Sequence, residues 1–175
     1  NIVIPQKKKS DKSEKFEGAY VKEPQVGMHK WVMSFDLNSL YPHLIMQYNI
    51  SPETVNLQTR QVKKMTVDKL LSKETDLSGM RERQLTMTPN GALFKTNKKG
   101  FLSEMMETMY NDRVKYKRLM LQSKQQYEDT KDPKCLKDIS KYNNIQMAKK
   151  ISLNSAYGAI GNQYFRYYDL LIAEG

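Results

Sequence analysis

The sequence predicts an α+β fold, in which a small unit of strand, helix and β-hairpin carries a long antiparallel two-helix hairpin. Three observations predict it. From about Leu102 to Asp129 no Gly or Pro intervenes, and Met105, Met109, Val114, Leu119 and Leu121 alternate with charged residues as on a long helix. After the break "TKDPKC" a second such run carries Ile139, Tyr142, Ile145, Ala148 and Leu153. Upstream, "KWVMSFDL" and "LTMTPNGALFK" have the alternation and the turn residues of strands.

In chain order, residues 1–29 lack periodicity and read as an exposed, irregular lead-in with the lysine run "KKKSDKSEK". "KWVMSFDL" sets Trp31, Met33 and Phe35 against Val32, Ser34 and Asp36, the period of a strand. "NSLYPHLIMQYN" then spaces Leu40, Leu44 and Ile45 as a helix does, with Pro42 tolerated in its first turn. Asp36 is therefore expected at a strand-to-helix junction. A short helix is expected over Val67–Ser72 and a hairpin around Asn90-Gly91. The long helices are expected over Leu102–Asp129 and Leu136–Tyr157, the second ending before Gly158 and Gly161. So short a break between them requires the chain to fold back on itself.

At 175 residues the chain suits one domain with a real core or a large piece of a bigger protein, and its first residue is Asn. No apolar run approaches the roughly 20 residues that cross a bilayer, and no secretory signal opens the chain. A single cysteine, Cys135, excludes an intrachain disulfide and a cysteine metal cluster. The expected setting is an intracellular, reducing compartment. The net charge of +10 is concentrated: between Lys95 and Ile151 there are 14 Lys and Arg against 7 Asp and Glu. Such a surplus is either a solvated helical surface or a face for a phosphate-bearing partner.

The candidate site residues follow from helical spacing. Lys150, Asn154 and Tyr157 stand at i, i+4 and i+7, so an ammonium, an amide and a phenol share one face. Arg113 and Lys117 have the same spacing on the preceding helix. With a reversal near Pro133, Lys117 and Lys150 fall at similar heights, roughly 25 Å from the tip at about 1.5 Å per residue. These donors suit a compact polyanion such as a triphosphate, although any basic hairpin offers some match of this kind. Asp36 alone reads as a helix cap or as a divalent-metal ligand. Tyr41 reads as core filling or as a neighbour of a bound sugar. His29 and His43, with no Cys or second His nearby, read as structural or exposed, and "YGAIGNQYFRYY" as packing or base stacking. No Walker-type loop, Ser-His-Asp order or zinc spacing is present.

Taken together, "SFDLNSLYPHLIMQYNISPETV" and "KKISLNSAYGAIGNQYFRYYDL" resemble motif A (Asp-x-x-Ser-Leu-Tyr-Pro) and motif B (Lys-x-x-x-Asn-Ser-x-Tyr-Gly) of the family B DNA polymerases. "GAYVKEP", "NISPET", "TPNG" and "GNQYFRYYDL" look most like the replicative polymerases of T-even type bacteriophages. The resemblance runs from about Gly18 onward.

It implies a partial palm over residues 1–100, a fingers hairpin over 101–160 and the start of a return into the palm over 161–175. Asp36 then matches the palm aspartate that binds two divalent ions, Mg2+ or alternatively Mn2+, with the carbonyl of Leu37 as a further ligand. Ser39, Leu40 and Tyr41 match the segment whose amides touch the triphosphate, Tyr41 also serving as the steric gate against a 2′-hydroxyl. Lys150 and Asn154 match fingers residues that face the phosphates, Tyr157 one that lines the nascent base pair, and Arg113 and Lys117 the triphosphate contacts of the other fingers helix.

The implied reaction is in-line attack of a primer 3′-hydroxyl on a deoxynucleoside triphosphate during viral DNA replication, with Asp36 and Lys150 as catalytic residues. The implied partners are primer–template DNA, the nucleotide, and a sliding clamp and other replisome proteins through parts not present here. The implied setting is the cytoplasm of the host cell. Two departures stand out. The family's second aspartate block is absent before Gly175, so an inactive fragment of a larger polymerase is expected, and His43 stands where many members carry Ser. A rival reading is a non-catalytic nucleic-acid-binding hairpin, which does not explain why Asp36, Tyr41, Lys150, Asn154 and Tyr157 are all retained. A protein-primed polymerase would carry an insertion between the motifs, and none is found.

Overall fold

The computed structural model describes residues 21–56, 69, 72–73 and 78–175. Its elements are α1 (Leu40–Tyr48), α2 (Ser78–Glu82), β1 (Leu85–Met87), β2 (Leu93–Lys95), α3 (Phe101–Thr130), α4 (Lys134–Ile160) and α5 (Leu170–Glu174). The fold is α+β, a helical protein with a small two-stranded antiparallel sheet. The helix expected over Val67–Ser72 lies almost wholly outside the described residues.

The helical hairpin dominates. α3 and α4 pack along each other, joined only by residues 131–133, and α3 ends on Lys131 in the left-handed region at φ 53°. α4 runs further than expected, through Gly158 to Ile160. An interior glycine weakens a helix by only about 1 kcal/mol. Here buried Ile160 and the packed ring of Tyr157 hold the last turn, and the Gly161 N–H closes it on the Tyr157 carbonyl at 2.9 Å.

The core lies at the base of this hairpin. Ile45 and Ile50 from α1 and its exit meet Phe94 of β2, Leu102 and Met106 of α3, Leu153 and Ile160 of α4, and Ile172 of α5. β1 and β2 pair Leu85 with Lys95 and Met87 with Leu93. Their connection is the expected Asn-Gly turn: the Gly91 N–H donates to the Thr88 carbonyl at 2.8 Å, and Gly91 takes φ 84°, which costs a residue without Cβ little. The Asn90 side chain donates to the Leu171 carbonyl at 2.9 Å and so ties the turn to α5.

α3 begins without a capping side chain of its own. Its first N–H groups instead find acceptors in the loop after α1: Gly100 N–H donates to Asn49 Oδ1 (2.8 Å), Phe101 N–H to Glu53 Oε1 (2.5 Å) and Leu102 N–H to Ser51 Oγ (3.4 Å). The Asn49 amide also donates to the carbonyls of Lys95 and Lys98 at 2.7 and 2.8 Å. One buried amide thus satisfies three backbone groups where the β-hairpin hands over to the long helix.

The expected strand over "KWVMSFDL" is absent. Residues 32–37 have no ladder partner among the described residues, and Trp31 and Phe35 are 98% and 84% exposed. Alternation specifies two faces, but a strand also needs a neighbour to take its backbone hydrogen bonds. Asp36 therefore sits in an exposed, irregular segment and not at a strand end.

Candidate functional site

The site is the junction where α1 crosses the helical hairpin. Three contacts run in order along α1 and α3. Ser103 Oγ donates to the Ile45 carbonyl at 2.9 Å. His43 lies edge-on to Tyr110, with ring centres 4.6 Å apart at 80°. Arg113 Nη1 donates to Ser39 Oγ at 3.0 Å. The i, i+3 spacing of Tyr110 and Arg113 puts both on the stripe of α3 that faces α1. Lys117 continues that stripe one turn on and is exposed.

Arg113 is half-buried, and its Nε has no hydrogen-bond partner among the described residues. Its guanidinium forms no ion pair among the described residues either. Lys149, in contrast, reaches Asp112 Oδ2 at 2.8 Å across the hairpin. Tyr116 meets Tyr142 further out, at 6.2 Å between ring centres. These two contacts set the register and place Lys150 beside the turn of Asp112 and Arg113. Lys117 comes level with Tyr142, about two turns nearer the tip than Lys150. The expected level pair of Lys117 and Lys150 is thus displaced, and Arg113 and Lys150 are the cations that share a height.

On α4, Lys150, Asn154 and Tyr157 fall within one unbroken helix. Lys150 and Asn154 are exposed, and Tyr157 follows them on the same flank with its ring stacked on Tyr41, centroids 4.2 Å apart and 5° from parallel. The Tyr157 hydroxyl donates to the Ala173 carbonyl at 3.4 Å. Burial, and then the neighbouring Tyr41, raise its pKa above the usual tyrosine value of 10.0. Both rings line a cavity of about 250 Å³, together with Leu44, Ile45, Ile160, Ile172 and Glu174 among others.

The structure thus joins Ser39 to Arg113 and Tyr41 to Tyr157. Among the described residues Lys117, Lys150 and Asn154 have no such contacts. Ser39 has φ 54° and ψ 47°, left-handed for a non-glycine residue, and it opens α1. The first helical bond is from His43 N–H to the Ser39 carbonyl at 3.1 Å, so the Leu40 and Tyr41 N–H groups have no intrahelical acceptor. They point out of the helix start beside Arg113.

Asp36 is the carboxylate that precedes the start of α1. Asp36 is exposed and makes no hydrogen bond or ion pair among the described residues, and no cluster of three His, Cys, Asp or Glu exists among them. Mg2+ is commonly held by one or two carboxylates plus substrate phosphates and water. Asp36 and the Leu37 carbonyl fit that half-open donor set, and Leu37 is itself 70% exposed.

The residues the sequence reading missed are Asn49, Ser51 and Glu53, whose spacing carries no local signal because each acts on a backbone some 50 residues along the chain. His43, read as structural or exposed, is half-buried and touches Ser39 and Tyr110.

Comparison with known proteins agrees with the motif blocks. The DNA-directed DNA polymerase of Escherichia phage RB69 is 30% identical over 97% of this chain and 23% of its own length. That of Enterobacteria phage T4 is 28% identical over 96% and 22%. DNA polymerase 1 of Pyrococcus abyssi is 31% identical over 89% and 16%. The chain thus spans less than a quarter of the length of these relatives. Among the described residues no helix is long and apolar enough to cross a membrane. The model of DNA polymerase family B matches residues 1–175, and the chain belongs to that family.

Proposed function

We propose that the chain is the nucleotide-binding part of a DNA-directed DNA polymerase. In this reading residues 1–100 are the leading part of the palm, 101–160 the fingers and 161–175 the return toward the palm. The observation that carries it is the contact of Arg113 with Ser39 at 3.0 Å, which brings a fingers cation to the residue three places after Asp36. The stack of Tyr41 on Tyr157 joins the same two motif blocks.

The chemistry follows from what these residues can do to a triphosphate. Arg113 and Lys150 neutralise charge on the phosphates, and Lys150 also protonates the leaving pyrophosphate. Lys117 adds charge farther out, and Asn154 donates without adding charge. The Leu40 and Tyr41 N–H groups, unused within α1, bind phosphate oxygens at the helix start. Tyr41 closes the space beside the deoxyribose at C2′, and Tyr157 backs it from the other helix.

Asp36 and the Leu37 carbonyl would hold a divalent ion, Mg2+ or Mn2+, that acidifies the primer 3′-hydroxyl and holds phosphate charge when bound. A second carboxylate is supplied from outside the described site, so the 175-residue chain alone binds triphosphate and DNA weakly and does not extend primers. Primer–template DNA is the polymeric partner, in the setting of viral replication with a clamp and other replisome proteins. Rotation of the hairpin about its base, around the Asn49–Glu53 loop, assembles the donors over Asp36 when a correct nucleotide is bound.

The test is Asp36→Asn in the polymerase that carries this sequence. Loss of primer extension with retained DNA binding is the expected result. Unchanged extension overturns the metal role and the reading with it.

A further inference from the structure

His43 does not belong to the set of residues that face the nucleotide, yet it touches both sides of the contact that holds Arg113. Its Nδ1 donates to the Ser39 carbonyl at 2.9 Å, the same oxygen that accepts the first helical bond from the His43 N–H at 3.1 Å. Its ring edge packs against Tyr110, three residues before Arg113 on α3. Ser39 holds a left-handed conformation that is unfavourable for a residue with a Cβ. A carbonyl held by two donors on one residue keeps that conformation in place, and the conformation aims Ser39 Oγ at Arg113.

We infer that His43 is a positioning residue for triphosphate binding: it locks the Ser39 turn from one side and seats α3 from the other, so that Arg113 is pre-set for the phosphates. This rests on the polymerase reading above. The role needs a donor at the Nδ1 position and a flat ring edge against Tyr110, and His43 supplies both from a half-buried site. A guanidinium held this way loses less freedom when it meets an anion than one that swings free, and the gain appears as tighter nucleotide binding. It does not appear in the chemical step.

Single-nucleotide incorporation by the polymerase carrying this sequence tests the inference, with KM for the deoxynucleoside triphosphate and kcat measured separately. Loss of one pre-organising hydrogen bond predicts that His43→Phe, which keeps the ring but not the donor, raises KM about 5- to 10-fold with kcat unchanged. His43→Asn, which restores a donor at the same distance along the side chain, recovers most of the loss. In an Arg113→Ala background His43→Phe adds nothing further, because the group it positions is gone. An unchanged KM in His43→Phe overturns the inference, as does an effect that adds in full to that of Arg113→Ala. An unchanged KM in Arg113→Ala itself overturns the functional reading instead. Where His43→Phe lowers the unfolding midpoint, His43→Ala and its comparison with His43→Asn decide in the same way.

Discussion

Tyr41 and Tyr157, 116 positions apart in the sequence, lie ring on ring with centroids 4.2 Å apart and planes 5° from parallel. One opens α1 beside the exposed acid and the other closes the long hairpin, so the stack couples the two motif blocks directly. Offset aromatic pairs contribute roughly 0.5–1.5 kcal/mol beyond the area they bury. A double-mutant cycle of Tyr41→Ala and Tyr157→Ala on the unfolding free energy is expected to return a coupling in that range. Additivity within error would show that the rings do not stack in solution.

The stack also bears on sugar selection. In the proposed reading Tyr157 backs the Tyr41 ring where it would meet a 2′-hydroxyl. Tyr41→Ala should bring the ratio of kcat/KM for deoxy- over ribonucleotide down by about 100-fold or more, a scale at which shape alone discriminates a hydroxyl. Tyr157→Phe keeps the stack and should leave the ratio near its starting value.

Tyr157 gives a pH signature. Burial and the neighbouring Tyr41 favour its neutral phenol, so the folded chain holds this proton more tightly than the unfolded chain. Its contribution to stability is whole below the unfolded value near 10 and is lost as pH rises through the higher folded value. Tyrosine ring-carbon NMR should find Tyr157 among the last tyrosines to ionise, and Tyr157→Phe should flatten the loss of stability above about pH 10. A Tyr157 that ionises with the exposed tyrosines would contradict the burial argument.

Gly100 is the tight point of the loop that caps α3. A Cβ there would lie 2.5 Å from Ser51 Cβ, at the place where Ser51 and Asn49 cap α3. Gly100→Ala is expected to destabilise the fold by about 1–3 kcal/mol, as overpacking in a closed site does. Thermal unfolding measures it, and a neutral result would mean that the capping loop has room to move.

Lys149 and Lys150 are neighbours with opposite assignments. The ion pair of Lys149 with Asp112 is partly exposed, so Lys149→Ala should cost less than about 1 kcal/mol of stability and leave incorporation intact. Lys150→Ala should lower kcat about 100-fold or more if it donates the proton to pyrophosphate. Similar kinetics for the two variants would remove the catalytic role of Lys150.

Much of this was legible in the sequence because its causes are local. A run of some 30 residues without Gly or Pro and with apolar residues at helical spacing leaves few alternatives to α3, and Thr88-Pro-Asn-Gly specifies its own turn. Helical period and loop length grouped Arg113, Lys117, Lys150 and Asn154 on facing helices, but set Lys117 and not Arg113 level with Lys150. What could not be read depends on distant partners. "KWVMSFDL" alternates like a strand, but nothing among the described residues pairs with it. The cap of α3 reaches back some 50 residues to Asn49, Ser51 and Glu53, and His43 shows its use only when Tyr110 packs against it.

The most direct measurement is a crystal structure of the polymerase carrying this sequence, with primer–template DNA, a divalent ion and an unreacted deoxynucleoside triphosphate. The account predicts phosphate oxygens within hydrogen-bonding distance of Arg113, Lys150 and the Leu40 and Tyr41 N–H groups, with Asp36 on the ion. Phosphates bound instead on the outer surface of the hairpin, around Lys124 and Lys141, would contradict it.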